Sequence, residues 1–351
     1  MQGSTISALR WTRVVLVGVV AAAAGLANVE NSARAADEGS WVGREVMLKS
    51  SELNLMRGTE KIEIRALQTY KVTAVKDGWL YLVGRRDGTA GYASPEWVVT
   101  FDDSLMYFTR LIRENPRDAD AYTHRAYVWK AKKEYDIAIQ DYNDLLRISP
   151  DATAFASRGV IWDLKKRYDQ AIADFDEAVR LDPSDPLAYY DRGVAYLHKH
   201  EDDKALADFT ETIRLDPAFS AAYLERGLVW SIKKDYERAL SDYETAMRLN
   251  GSGSSEAAWL LATCPIARIR DGKRAVELAK RACTETDSPR HFEFDALAAA
   301  YAEAGDFEKA REAERKAIEL AARNTAVKKD LQYRLALFTA KKPYRFNPDM
   351  P

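Results

Sequence analysis

The stretch from Pro186 to Pro217, PLAYYDRGVAYLHKHEDDKALADFTETIRLDP, reads as two helices joined by a tight turn. Tyr189, Gly193 and Tyr196 fall at i, i+4 and i+7, so they share one face of the first helix. Ala205 and Phe209 fall at i, i+4 on the second, and Pro217 closes it. The same order recurs outward in both directions. Tyr122, Phe155, Tyr189 and Tyr223 open the first helices; Ala126, Gly159, Gly193 and Gly227 follow; Trp129, Trp162, Tyr196 and Trp230 come next. On the second helices Ala138, Ala171, Ala205 and Ala239 precede Tyr142, Phe175, Phe209 and Tyr243. Pro150, Pro183 and Pro217 end three units and Gly251 the fourth. A unit of 33 or 34 residues built this way is too small to bury its own apolar face, and stacked copies are the solution.

Small residues where two helices cross let the backbones approach, and the rings fill the gaps above and below. Glu134-Tyr135, Arg167-Tyr168 and Asp235-Tyr236 mark turns between the helices. These residues resemble the tetratricopeptide repeat (TPR) family over roughly 200 positions. The resemblance implies a mainly α fold: a right-handed TPR α-solenoid, a superhelix of helical hairpins, that acts as an interaction scaffold and not as an enzyme. Four repeats are expected over 117–251. Ser104, Phe108, Leu111 and Pro116 match a second repeat helix, so 102–116 is expected to be a lone half-repeat beside the first hairpin.

Past Gly251 the pattern loosens. Two divergent repeats are expected over 256–322, a capping helix over 324–340 and a loose tail over 341–351. Pro265 should end the fifth unit's first helix early. In the sixth, Phe294, Ala298, Tyr301, Gly305-Asp306, Ala310 and Ala317 follow the pattern, but Glu314 stands where the others carry a ring, which predicts a thinner, exposed terminal repeat. Leu260-Leu-Ala-Thr-Cys-Pro265 and Leu297-Ala-Ala-Ala-Tyr-Ala-Glu-Ala-Gly-Asp306 resemble the C-terminal part of TPR proteins of planctomycete-type bacteria.

Residues 40–101 have a different grammar. Glu45–Leu48, Lys61–Ile64, Thr69–Val75, Trp79–Val83, Gly91–Ala93 and Trp97–Thr100 are short β-rich runs, with Asp77-Gly78 and Asp87-Gly88 as hairpin turns. Such a set in about 60 residues suggests a small closed barrel. The runs Tyr70–Val83 and Gly91–Val99 look like a bacterial SH3-like domain, so the resemblance places a small SH3-like β-barrel before the solenoid. Trp79, Tyr81, Tyr92 and Trp97 either form a ligand platform, which the resemblance would direct at a peptide or a cell-wall glycopeptide, or fill the barrel. No Gly/Ser run follows, so the module is expected to pack on the first helices.

Arg10 and Arg13 precede an apolar run, Val14–Ala27, and Ala33-Arg34-Ala35 offers a small-x-small cleavage site. Residues 1–35 read as an export signal and place the protein in the periplasm or outside the cell; retained, the run would be the protein's one link to a membrane. Arg10, Arg13, Arg34 and Glu30 leave with it, so 52 basic and 54 acidic residues become 49 and 53, a formal charge of −4. That balance argues against a nucleic-acid partner, which selects a basic face. The two cysteines, Cys264 and Cys283, fall late on successive helices, too far apart for a disulfide in a regular hairpin, and read as buried thiols.

No catalytic constellation emerges: there is no phosphate loop, no Gly-x-Ser-x-Gly, no His-Glu-x-x-His and no Cys-x-x-Cys. No cofactor or metal is expected. His198 and His200 lie beside acidic residues, but i and i+2 do not share a helix face. Arg125, Arg158, Arg192 and Arg226 recur in the first helices, matched by Asp141, Asp174, Asp208 and Asp242 in the second. They form either a ladder for an acidic ligand or one internal pair per hairpin, and the matched acids favour the pair. The binding face is placed on the inner side of the first helices: Thr123 and Tyr127; Ala156, Val160 and Asp163; Tyr190, Val194 and Leu197; Leu224 and Leu228. The lysines and asparagines with which chaperone-binding relatives clamp a C-terminal carboxylate are absent. A largely apolar groove with tyrosine hydroxyls suits a peptide or protein segment, unless the chain's own C-terminal helix or a neighbouring chain covers it.

Overall fold

The computed structural model describes residues 41–346, apart from 51–52, 54, 58–59, 63–66, 86–87, 286–288 and 322–323. The export segment expected over 1–35 lies outside the described residues. The chain divides into two compact units, one ending at Pro150 and one beginning at Asp151.

The first unit opens with strands β1 (Glu45–Leu48), β2 (Leu55–Arg57), β3 (Glu60–Ile62), β4 (Tyr70–Lys76), β5 (Trp79–Gly84), β6 (Ala90–Ala93) and β7 (Val98–Thr100). They form one antiparallel sheet in the order β3-β2-β6-β5-β4-β1-β7. No pairing of β3 with β7 closes the sheet among the described residues; it curls as a half-barrel, consistent with a small SH3-like domain. Side chains alternate across β5, with Leu80 and Leu82 fully buried and Trp79, Tyr81 and Val83 half-buried on the other face. Strand β2 had no sequence forecast. It leans on β6 at Gly91, where an added Cβ would stand 2.8 Å from Leu55 Cβ and 3.0 Å from Met56 O, so only glycine admits that approach. Trp97 ends a short 3₁₀ turn, Pro95–Trp97, instead of opening β7.

Helix α1 (Ser104–Glu114) follows directly, then the hairpin α2 (Ala119–Ala131) and α3 (Tyr135–Ile148). The sheet and these helices share contacts. Phe101 N–H donates to Glu45 O at 2.9 Å, Lys49 Nζ lies 5.3 Å from the Tyr107 ring centroid and Lys132 Nζ 5.6 Å from that of Phe101.

The second unit holds α4 (Ala152–Leu164), α5 (Tyr168–Leu181), α6 (Pro186–His198), α7 (Asp202–Leu215), α8 (Ser220–Ile232), α9 (Tyr236–Asn250), α10 (Ser254–Thr263), α11 (Gly272–Glu285), α12 (His291–Glu303), α13 (Phe307–Leu320) and α14 (Thr325–Thr339). From α4 to α13 they pack as successive hairpins, each second helix against the next first helix, and α14 packs on α13. The rings sit on the small residues: a Cβ added at Gly159, Gly193 or Gly227 would come within 2.6–2.8 Å of the Phe175, Phe209 or Tyr243 ring. Every hairpin turn but the fifth uses one left-handed residue: Lys133, Lys166, His200, Lys234 and finally Gly305. The next amide then bonds back to the first helix, as in Arg167 N–H to Trp162 O at 2.9 Å.

Two expectations for the far end need correction. Glu314 is not on an exposed repeat: it is 0% exposed, enclosed where α14 brings Arg334 to within 3.6 Å of Oε1. The tail is not loose from its start. Lys341, at φ +54°, turns the chain after α14, and residues 344–346 lie against α10 and α12. Pro265, by contrast, stops the fifth unit as expected: α10 ends at Thr263, and a 3₁₀ turn, Ala267–Ile269, bridges to α11. Among the described residues no helix is long and apolar enough to cross a membrane.

Candidate functional site

Each hairpin consumes its charged pair internally. Arg192 donates from Nε and Nη2 to the two carboxylate oxygens of Asp208, both at 2.8 Å, and Arg125–Asp141, Arg158–Asp174 and Arg226–Asp242 repeat the fork. Every arginine also lies 5.4–5.6 Å over the ring that opens its helix, Tyr122, Phe155, Tyr189 or Tyr223. Arg192 Nη1 reaches further, to Asp176 on α5 at 2.7 Å. The arginines are therefore register pins and not a ladder for an acidic ligand.

The inner positions are more deeply set than the sequence implies. In the first unit Thr123 and Tyr127 are half-buried, Thr123 Oγ1 donates to Ala119 O at 2.9 Å, and Lys130 Nζ lies 5.5 Å from the Tyr127 ring centroid. In the second unit Ala156 and Val160 back onto Ala171, Ile172 and Phe175. Tyr190, Val194 and Leu197 back onto Ala205, Leu206 and Phe209, and Leu224 onto Tyr236, Ala239 and Tyr243. These side chains close their hairpins with one side and present the other. Of the residues named from the sequence, Leu228 is the most open aliphatic, at 43% exposure. Leu164, Leu187 and Ile232, exposed by 50%, 46% and 41%, were missed. The signal was present: Leu164 and Ile232 stand five places after Gly159 and Gly227, and Leu187 six before Gly193.

Polar groups line the same face. Asp163 Oδ1 lies 2.9 Å from His198 Nδ1, and the His198 ring is 5.4 Å from Tyr168. Tyr190 stacks on Phe219 at 5.0 Å; burial, then the charges of Glu225 and Asp191, push its phenol up to about 12. Glu225 and Glu256 stand two places before the small residues Gly227 and Ala258 of adjacent units. Burial raises both carboxyls above the usual range, and the charge of Glu256 raises Glu225 further, against His198.

In the last two units the inner face is occupied by the chain itself. Tyr344 stacks on Trp259 with centroids 5.7 Å apart, and Arg334 lies 5.4 Å over each ring. Arg345 Nη2 is 2.7 Å from Glu303 Oε2, and Phe346 N–H donates to Thr263 O at 2.9 Å. Trp259 follows Ala258 as Val160, Val194 and Leu228 follow their glycines. Thr263 and Glu303 stand five places after their small residues, as Leu164, His198 and Ile232 do.

On the sheet the four aromatics form two pairs. Trp79 and Trp97 meet edge to face at 5.5 Å, and Tyr81 and Tyr92, directly opposite in register, lie 4.9 Å apart. All four are half-buried, and Trp97 also touches the core of the sheet, so it serves packing as well as surface. Among the described residues no group of three His, Cys, Asp or Glu side chains is placed to hold a metal ion. Cys264 is buried, Cys283 half-buried, and both are free thiols. The shifted carboxyls Asp295 and Glu314 are enclosed with Arg334, which forks onto Asp295 at 2.9 and 3.0 Å, so they fasten the capping helix.

Profiles of the tetratricopeptide repeat match residues 101–153, 164–200, 203–254 and 295–324. No curated protein matches the chain. Among solved structures it resembles a tetratricopeptide repeat protein from Parabacteroides merdae, with 15% identity over 68% of this chain and 92% of that one and a TM-score of 0.52. It also resembles pilF of Pseudomonas aeruginosa, with 18% identity over 62% of this chain and 99% of that one, TM-score 0.52. A third likeness is to the APC/C hetero-tetramer Cut9-Hcn1, with 18% identity over 68% and 46%, TM-score 0.51. At these identities the likeness is one of fold; the profile matches show that the chain carries tetratricopeptide repeats, and the likeness that they build an α-solenoid.

Proposed function

We propose that this tetratricopeptide-repeat chain is an exported, non-enzymatic scaffold that holds a peptide or protein segment on the inner side of its first helices, with the SH3-like sheet as a second contact surface. The observation that carries the reading is the set of aliphatic side chains, Leu164, Leu187, Leu228 and Ile232, left open while Phe175, Phe209 and Tyr243 pack on the glycines and the motif arginines fork onto their aspartates. Open aliphatics on successive first helices, at positions that include the matched pair Leu164 and Ile232, offer an apolar surface for a partner. Arg10, Arg13, the apolar run 14–27 and the Ala33-Arg34-Ala35 site support export.

A photoreactive amino acid placed at Leu228 tests the scaffold reading in the native cell. It should crosslink one partner reproducibly, identified by mass spectrometry, while the same group at the outer position Glu177 captures none. Equal capture at both positions, or none at Leu228, removes the proposal.

The paired rings Trp79–Trp97 and Tyr81–Tyr92 favour a second reading, a cell-envelope module whose sheet binds peptidoglycan-type glycopeptide while the repeats recruit a partner. Co-sedimentation of the full chain with insoluble cell wall tests it. Retention should be lost when Tyr81 and Tyr92 are both replaced by alanine; no retention of the unaltered chain ends this reading.

A further inference from the structure

The C-terminal segment shows what chemistry the inner face accepts. After α14 the chain turns at Lys341, and its residues 344–346 lie against the first helices of the last two units. It makes three kinds of contact there. An aromatic ring, Tyr344, lies on Trp259; a guanidinium, Arg345, meets the carboxylate of Glu303; and a main-chain amide, that of Phe346, bonds a free carbonyl at the end of α10. Arg345 is needed in position: its Nη1 also reaches Tyr344 O at 2.9 Å and Ala262 O at 3.4 Å, so the side chain folds over the segment's own backbone and braces it. These are the elements by which an extended peptide is recognised: a pocketed ring, a charge pair and a backbone bond.

The next inner positions along the stack are not covered by the segment and differ from those beneath it. Leu228 takes the place of Trp259 and Ile232 that of Thr263, and Glu225 and Glu256 are half-buried carboxyl groups at matching positions of adjacent units. A guanidinium pairs with such a carboxyl as Arg345 pairs with Glu303, and an apolar side chain covers the leucine. Arginine beside an aromatic residue is the side-chain pair that meets both demands.

Resting on the scaffold reading above, we propose that the inner face selects extended peptides in which an arginine is flanked by aromatic residues, and that Tyr344-Arg345-Phe346 is the chain's own copy of such a ligand, a strap that an incoming partner displaces. While the strap is down the site over the fifth and sixth units is closed, and a partner binds with an affinity reduced by the fraction of open chains. A strap closed in nine chains of ten weakens binding about tenfold.

The test uses the full chain and a fluorescein-labelled peptide of sequence Lys-Pro-Tyr-Arg-Phe-Asn-Pro, followed by anisotropy. Arg345→Glu sets a second carboxylate against Glu303 and lifts the strap; Tyr344→Ser, which removes the stacked ring, is the alternative should the first variant melt below the assay temperature. The released chain should bind the peptide at least about tenfold more tightly than the unaltered chain. A peptide with glutamate in place of its arginine should not bind either. Equal affinity of the two chains, or of the two peptides, overturns the inference. The Leu228 crosslink distinguishes the two levels. Capture there without any gain on strap release removes the strap and leaves the scaffold reading, whereas no capture at Leu228 and no peptide binding remove both.

Discussion

Arg192 and Asp208 face each other across one hairpin through two parallel 2.8 Å bonds, and the third guanidinium nitrogen crosses to Asp176 in the preceding unit. One side chain thus fixes both the register within a hairpin and the step to its neighbour. Burial raises the Asp208 carboxyl while Arg192 holds it down, so the pair is stable only as a pair. Replacing Asp208 by alanine leaves a guanidinium 17% exposed without its main partner. Such a loss costs about 3 kcal/mol, and urea unfolding of Asp208→Ala should show it. The double variant Arg192→Met, Asp208→Leu should recover more than half of that loss; a double variant as unstable as the single one would mean the arginine's other contacts dominate.

Gly193 tests the packing rule directly. A Cβ there would stand 2.8 Å from Phe209 Cε1 and 3.2 Å from Asp208 Cβ, closer than carbon atoms pack. Ala126 occupies the same place in the first unit and is fully buried, so one methyl is tolerated where the ring can tilt. Gly193→Val adds two more carbons at a β-branched centre and should cost about 2–3 kcal/mol in chemical denaturation. A loss below about 0.5 kcal/mol would show that helix and ring separate freely, contrary to a close-packed stack.

What the sequence revealed follows from periodicity. The glycine–ring contacts and the Arg–Asp forks repeat at a fixed offset, so each unit corroborates the others, and the structure places Gly159 on Phe175 and Arg158 on Asp174 as that offset requires. Features that occur once had no such support. Strand β2 reads Leu-Met-Arg, without a β-branched residue, and only the tight fit at Gly91 betrays its neighbour. The burial of Glu314 depends on Arg334, twenty residues away on a helix outside the repeat, and the strap joins Arg345 to Ala262 across 83 residues. Leu228 was legible beside its glycine, whereas Leu164, Leu187 and Ile232, near the helix ends, escaped because apolar residues on a repeat helix read first as core.

Lys166 sits in the left-handed region at φ +58°, where a β-carbon crowds the following carbonyl and costs roughly 1 kcal/mol or more. Gly305 does the same work in the last hairpin at φ +88°. Lys166→Gly keeps the turn's bonds, Lys166 N–H to Asp163 O and Arg167 N–H to Trp162 O, since neither uses the side chain. Relief of strain outweighs the added freedom of the unfolded chain, so stability should rise by about 0.5–1 kcal/mol with a higher melting temperature. Lys166→Val, by contrast, should lower it; the same sign for both would show the turn to be indifferent to the residue.

Glu314 gives the capping helix a pH dependence. Its side chain fills the slot that Phe175 and Phe209 fill elsewhere, beside the Asp295 carboxyl and with Arg334 3.6 Å away, already committed to Asp295. Burial, then the charge of Asp295, raises its carboxyl far above the ordinary range, against the pull of Arg334. The folded chain therefore keeps a proton that the unfolded chain gives up. By linkage, the contribution of this group is fully present at acid pH, below the ordinary carboxylate value, and is lost as pH rises toward the folded value, by up to about 1.4 kcal/mol per pH unit. Glu314→Gln holds the same shape without the proton, so its stability should exceed that of the unaltered chain above neutral pH and converge with it near pH 4. Urea midpoints measured from pH 4 to pH 9 for both chains check this, and parallel curves would show that the carboxyl stays charged beside Arg334 throughout.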